Sequence, residues 1–174
     1  MAQYPPSIRA AQAIGLTGAA YLAGNIASYS LVSVPALQTA HSDYKAPLTL
    51  IVKQWRALYD RGHAQNPPIA VVAASAFAYL AWSVHKSVAV AALAPRNAVA
   101  LYSAAAALTV GIVPWTFATM IKTNEVLQRR AGEDWIPDEE SSEEVEECLG
   151  RWRVLNGIRG VFPLVGALVG VLAF

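Results

Sequence analysis

The side chains with the clearest chemical potential lie in the last quarter of the chain, where Asn156 precedes Arg159 by three positions in an otherwise apolar stretch. This spacing places both side chains on one face of a helix. An arginine within an apolar helix is costly unless it is paired, so it either marks a functional site or extends to a nearby interface. Because arginine stays protonated at neutral pH, a functional Arg159 would bind an anion or an enolate-like oxygen.

Two further polar or basic residues are candidates. Asn25 lies in a second apolar stretch, where it either hydrogen-bonds a neighbouring helix or recognises a phenol or carbonyl group. His41 is the best candidate for a general base, since histidine titrates near physiological pH; the alternative is a solvated loop side chain. His63 is expected to be solvated. The spacing of the histidines, which include His85, fits no metal motif, so no metal site is predicted.

Trp55 and Tyr59 are four residues apart and would share one helix face. Such an aromatic stripe is typical of an anchor at the membrane interface. Its functional alternative is an aromatic wall on which a flat substrate stacks.

Composition decides the environment of these residues. The 174 residues are 55% hydrophobic and 14% charged, with a net charge of +1 and one cysteine, Cys148. This balance excludes a nucleic-acid surface, a disulfide framework and a CxxC site. No motif for a nucleotide, a flavin, a nicotinamide or a haem occurs, so no cofactor is predicted.

Four apolar segments are long enough to cross a bilayer, at about 11–37, 68–84, 99–120 and 155–174. The first is too long for the core of a signal peptide. A soluble helical bundle is the alternative, but segments two and three lack the polar stripe that a soluble helix needs. The sequence therefore predicts an all-α, integral membrane four-helix bundle with a single membrane domain, 1–174.

The predicted loops differ in character. Residues 38–66 contain a short amphipathic interfacial helix, and residues 121–153 form a polar, acidic third loop that ends in a helix capped by Ser141 or Ser142. These two larger loops carry nine lysines and arginines, against three on the opposite side. The positive-inside rule then predicts cytosolic larger loops and lumenal termini.

Four stretches, in this order and spacing, resemble the fungal anthrone oxygenase family, whose members are small membrane proteins of polyketide gene clusters. They are AQAIGLTGAAYLAGNIASYSLVSVPAL, KQWRALYDRGHAQNPPIA, GIVPWTFATMIKTNEVL and LGRWRVLNGIRGVFPL. Single motifs such as Gln54-Trp55 are short, and the ordered combination carries the resemblance. It implies oxidation of an anthrone to an anthraquinone by molecular oxygen without a conventional cofactor.

The resemblance also suggests roles for the residues above. His41 would remove a proton from the anthrone methylene, and Arg159 with Asn156 would stabilise the enolate oxygen. The pocket would be lined by Trp55, Tyr59 and Trp152, with hydrogen bonds from Asn124 to a ring hydroxyl and from Asn25 to a phenol or carbonyl.

The expected partners are an aromatic polyketide anthrone, molecular oxygen and a lipid bilayer; a homo-oligomer is allowed and no nucleic acid is expected. The expected location is the endoplasmic reticulum or another internal membrane. The main alternative is a non-catalytic membrane partner of a larger enzyme or transporter, in which Arg159 and Asn156 bond to helices and no ligand-sized pocket opens. A small transporter is less favoured, because the spans contain no acidic residue and no inverted repeat.

Overall fold

The computed structural model describes residues 4–132 and 135–174, and these residues contain helices and no strand. They form four long helical stretches, which are listed in chain order. The first comprises α1 (Pro6–Ser28), a π-helical segment π1 (Tyr29–Ser33) and α2 (Val34–Ser42). The second is α3 (Leu48–Lys86), which is followed by the one-turn α4 (Val88–Ala91). The third comprises α5 (Ala98–Val110), α6 (Ile112–Trp115), a second π-helical segment π2 (Thr116–Met120) and α7 (Ile121–Arg130), and the fourth is α8 (Glu139–Val171).

Three of these stretches, Leu48–Lys86, Ala98–Arg130 and Glu139–Val171, are long and apolar enough to cross a membrane. The predictions of an all-α fold and of a helical membrane protein are therefore confirmed. The additional span over residues 11–37 and the single domain stay predictions.

The boundary expected at Asn66-Pro67-Pro68 is absent, because α3 runs through both prolines without interruption. Two adjacent prolines usually mark a helix start, since neither has an amide hydrogen to donate. Inside a long apolar helix only two backbone hydrogen bonds are lost, and such prolines are tolerated in membrane helices. The predicted interfacial helix in residues 38–66 is therefore the first half of α3 and not a separate element.

Helix α8 begins earlier than the predicted fourth span, and Asp138 caps it instead of Ser141 or Ser142. The Ser141 amide donates to the Asp138 carboxylate over 2.8 Å, and the Asp138 amide donates to the Ser141 hydroxyl over 3.1 Å. This reciprocal pair is a capping box. The hydrogen bonds from Ser141 hold the pKa of Asp138 below its usual value.

The chain divides into two compact units. Unit 1 comprises Met1–Gly24, Asn66–Val113 and Gly160–Phe174, and unit 2 comprises Asn25–Gln65 and Pro114–Arg159. Each unit has its own cluster of buried hydrophobic side chains.

Unit 1 is held together by close packing of small residues. A Cβ at Gly170 would lie 2.6 Å from Cε1 of the Phe77 ring, and a Cβ at Gly166 would lie 2.8 Å from Oγ1 of Thr109. Glycine is therefore needed at both positions for neighbouring helices to approach. The Gly166-x-x-x-Gly170 pattern is thus a packing motif within this unit.

Unit 2 has larger side chains in its core. Trp55 is fully buried and lies edge-on to Trp152, with ring centroids 5.7 Å apart. The interface-anchor interpretation therefore fails for Trp55, whose indole belongs to the core of the unit. This unit contains every residue that the sequence analysis selected for chemistry.

Candidate functional site

A small cavity in unit 2 surrounds Arg159, and we call it the Arg159 cavity. Its lining includes Tyr29, Tyr59, His63, Thr116, Trp152 and Arg159. The free volume is about 20 Å³, which is room for one water molecule. An aromatic lining around one cationic side chain is suited to an apolar aromatic molecule that carries a developing negative charge.

Both π-helical segments supply residues to this cavity. Tyr29 is the first residue of π1, and Thr116 is the first residue of π2. A π-helical turn contains an extra residue and rotates the following side chains relative to a regular helix, and such turns occur frequently at functional sites. The two π-helical segments therefore meet at the Arg159 cavity, where the candidate polar side chain of Arg159 also lies.

Arg159 is only partly satisfied by its surroundings. Its Nη1 donates to Oγ1 of Thr116 over 3.2 Å. Its Nε is buried and has no hydrogen-bond partner within the described parts of the chain. A buried donor without a partner is destabilising by roughly 1–3 kcal/mol, and more when it is charged, so this N–H is a favourable position for an acceptor that enters the cavity.

Three stacked rings on α3 lie at one side of the cavity, and two of them, Tyr59 and His63, belong to its lining. Trp55 stacks on Tyr59 with centroids 5.2 Å apart, and Tyr59 stacks on His63 with centroids 5.7 Å apart and planes 17° apart. The three residues follow one another at intervals of four, so each ring lies one turn beyond the last. The indole N–H of Trp55 is also buried and finds no acceptor among the described residues.

Helix α8 supplies the facing side chains. Nε1 of Trp152 donates to Oδ1 of Asn124 over 3.0 Å, and both residues are buried. Nδ2 of Asn156 donates to the Ile26 carbonyl over 3.0 Å and to the Ser30 hydroxyl over 2.8 Å. Asn156 and Arg159 thus each bond to one of the two stretches that contain a π-helical turn.

His41 lies elsewhere in unit 2, in an open cleft of about 380 Å³ that we call the His41 cleft. Its lining includes Gln38, His41, Ile51, Glu146, Leu149 and Arg153. The cleft and the Arg159 cavity share no lining residue. Nδ1 of His41 lies 2.8 Å from the Ala46 carbonyl oxygen, and Nε2 lies 3.2 Å from the Glu146 carboxylate.

The structure therefore brings together Arg159, Tyr59 and Trp152 in one cavity and leaves His41 in another. Trp55, Asn124 and Asn156 are outside the lining. Trp55 stacks on Tyr59, Asn124 accepts from Trp152, and Asn156 donates to the stretch that contains Tyr29. Asn25 is partly buried in α1 and belongs to neither lining. The assigned roles stay predictions.

Sequence reasoning missed Tyr29, His63 and Thr116. His63 was expected to be solvated at the end of a short interfacial helix, whereas it stacks on Tyr59 and lines the cavity. In the described residues, no group of three or more His, Cys, Asp or Glu side chains is arranged to hold a metal ion.

Comparison with known proteins assigns the family. Residues 55–169 match the family model described as anthrone oxygenase. The chain is 40% identical to anthrone oxygenase encC of Aspergillus fumigatus over 92% of this chain and 90% of that protein. It is 32% identical to anthrone oxygenase AgnL2 of Paecilomyces divaricatus over 95% of this chain and 96% of that protein.

A third relative has a different name. The noranthrone monooxygenase of Aspergillus flavus is 30% identical over 90% of this chain and 69% of that protein. No solved structure matches the chain. The resemblance seen in the sequence is confirmed, and the chain belongs to the anthrone oxygenase family.

Proposed function

We propose that the chain oxidises the methylene group of a polyketide anthrone to the ketone of an anthraquinone, with molecular oxygen as the oxidant. One oxygen atom enters the product, and the other leaves as water with the two methylene hydrogens. The observation that carries the proposal is the match, over nearly the full length of the chain, to proteins named anthrone oxygenase. The same match does not favour the non-catalytic partner protein.

The Arg159 cavity is the proposed reaction site. Removal of one methylene proton gives a delocalised anthranolate, which is electron-rich enough to react with oxygen. The negative charge of this anion lies largely on the oxygen opposite the methylene. The unpaired Nε–H of Arg159 supplies a donor for that oxygen in a setting where burial strengthens the attraction.

Asn156 and Asn124 receive more specific roles from their contacts. Both hydrogens of the Asn156 amide are already donated to Ile26 and Ser30, so Asn156 positions the helix that carries Arg159 and does not itself donate to the enolate. Asn124 is buried and outside the lining, and its Oδ1 accepts from Trp152. We therefore assign it to holding the Trp152 ring in place, and not to a hydrogen bond with a ring hydroxyl of the substrate.

The cavity must open to admit an anthrone, because a tricyclic substrate is far larger than one water molecule. The rings of Tyr59 and His63 are the wall that can move. Tyr59 is partly exposed and stacks on both Trp55 and His63, whereas His63 is exposed and stacks on Tyr59 alone. A modest rotation of both rings would widen the cavity towards the surface while Trp55 and Trp152 stay in the core.

Membrane residence suits this substrate class, since polyaromatic polyketides partition into lipid. We propose the endoplasmic reticulum or another internal membrane as the location. The distribution of lysine and arginine supports an orientation with the larger loops cytosolic and the termini lumenal. The proposal includes no cofactor, and a homo-oligomer stays a prediction.

Oxygen uptake by purified protein in detergent tests the function, with emodin anthrone as substrate and a chelator present. We expect uptake above the spontaneous rate, with one anthraquinone formed for each oxygen molecule consumed. A folded protein that accelerates the oxidation of neither emodin anthrone nor unsubstituted anthrone would contradict the proposal.

A further inference from the structure

His63 has a free imidazole within the proposed reaction site. Its ring lines the Arg159 cavity and stacks on Tyr59. Within residues 4–132 and 135–174, neither ring nitrogen of His63 takes part in a hydrogen bond or an ion pair. A neutral imidazole nitrogen with no hydrogen to donate is therefore available to accept a proton.

The other ionisable groups in the cavity lack this property. Tyr29, Tyr59 and Arg159 also line it, but phenols and guanidinium groups keep their protons at neutral pH. His63 is thus the one described member of the lining whose side chain is an imidazole, the group that most often serves as a general base.

His41 is a poorer base in this structure. Its Nδ1 faces the Ala46 carbonyl, which only accepts hydrogen bonds, and its Nε2 faces the Glu146 carboxylate. Both bonds form together only when both ring nitrogens carry hydrogens. Both ring nitrogens of His41 are thus engaged, and a substrate proton would have to displace one of these contacts. The contact set suits a link from α8 through α2 to the segment that follows it.

We propose that His63 is the general base of the oxidation, an inference that rests on the proposed function. A ring nitrogen of His63 takes one methylene proton, and the C–H electron pair moves into the ring system, which places negative charge on the oxygen near Arg159. His63 from α3 and Arg159 from α8 reach the same cavity from different helices. This arrangement suits a substrate whose acidic carbon and oxygen lie on opposite sides of its central ring.

The rest of the step balances with oxygen as the only added reactant. The anthranolate adds oxygen at the former methylene carbon to give a peroxide anion, which takes the proton held by His63. Loss of the second hydrogen of that carbon, as a proton, forms the ketone and breaks the O–O bond. The departing hydroxide and this proton give water.

Deuterium exchange without oxygen tests the base separately from the oxidation. Emodin anthrone is incubated anaerobically in D₂O buffer with the detergent-purified protein, and exchange at the methylene is followed by mass spectrometry. We expect wild type to accelerate exchange, and His63→Ala to lose roughly 10²-fold of this acceleration. Added imidazole should restore part of it, which a purely structural role of His63 would not allow.

The matched control is His85→Ala, because His85 is an exposed histidine on the same helix and outside the cavity. It should exchange at the wild-type rate. If His63→Ala loses its helical spectrum or its single elution peak, His63→Gln replaces it and decides the same question.

The possible failures can be told apart. A wild-type protein that accelerates neither exchange nor oxygen uptake would overturn the proposed function and the inference together. An active wild type with wild-type exchange in a folded His63→Ala variant would overturn the inference alone. Loss of exchange in His41→Ala, with His63→Ala unaffected, would assign the base to His41.

Discussion

The Arg159 cavity and the His41 cleft lie in the same unit and both take side chains from α8, yet they differ in almost every physical property. The cavity has a free volume of about 20 Å³ and is lined mainly by aromatic rings. The cleft has about 380 Å³, is open, and is lined by polar and charged groups among a few apolar ones. The larger space therefore has the less suitable lining for a flat apolar substrate.

The difference between the cavity and the cleft is clearest for the two arginines of α8 that line them, Arg159 and Arg153. Arg153 in the cleft is exposed, and its Nη1 donates to Oε1 of Gln38 over 3.4 Å. Arg159 in the cavity has a buried Nε without a partner in the described residues. A charge in water is screened and contributes little, whereas a charge in a low-dielectric cavity interacts strongly with an anion. The buried Nε–H of Arg159 without a partner, more than the volume of the cavity, distinguishes the proposed site from the His41 cleft.

The largest effect is expected for Arg159→Lys. Lysine keeps the charge but loses the planar guanidinium and its Nε–H donor, so kcat/KM for emodin anthrone should fall by roughly 10²-fold or more. Initial rates of oxygen uptake at several substrate concentrations measure this change.

Arg153→Lys is the matched control, because it makes the same replacement two turns earlier on the same helix. Its kcat/KM should stay within about twofold of wild type, as expected for an exposed charge. Equal losses in the two variants, or a larger loss in Arg153→Lys, would place the chemistry in the His41 cleft.

A smaller effect, on stability, is expected for Trp152→Phe. Phenylalanine keeps an aromatic ring near Trp55 but removes the donor to Oδ1 of Asn124, which would then be a buried acceptor without a partner. We expect a loss of about 1–3 kcal/mol in the free energy of unfolding, with a lower Tm in detergent.

The comparison variant for Trp152→Phe is Trp82→Phe, since Trp82 is 57% exposed and lies on α3 in unit 1. Its Tm should change little. A Trp152→Phe protein as stable as wild type would mean that Asn124 finds another donor.

Much of this architecture was predictable from local patterns, and the failures have two physical causes. Asn156 and Arg159 share a helix face because their spacing requires it, and the apolar runs identified the membrane helices. His63 was expected to be solvated at the end of a short interfacial helix, whereas α3 continues through both prolines and the His63 ring stacks on Tyr59. The π-helical turns at Tyr29 and Thr116 depend on packing between distant segments, which spacing along one segment does not encode.

The smallest effect is expected for Glu146→Gln, which weakens the contact with His41 while keeping its size. The Glu146 side chain is 59% exposed and that of His41 is 33% exposed, so the pair should contribute about 0–1 kcal/mol to stability. Neither Tm nor kcat/KM should change appreciably.

Glu146→Gln also tests whether the His41 cleft, and not the Arg159 cavity, contains the general base. If His41 were the base, Glu146 would orient its ring as the carboxylate of a catalytic pair, and Glu146→Gln would lower kcat by an order of magnitude or more. If the contact only links α8 to α2, kcat is unaffected, because the carboxamide oxygen of glutamine still accepts a hydrogen bond from His41. Oxygen uptake by Glu146→Gln, measured beside His63→Ala, therefore decides which histidine serves the reaction.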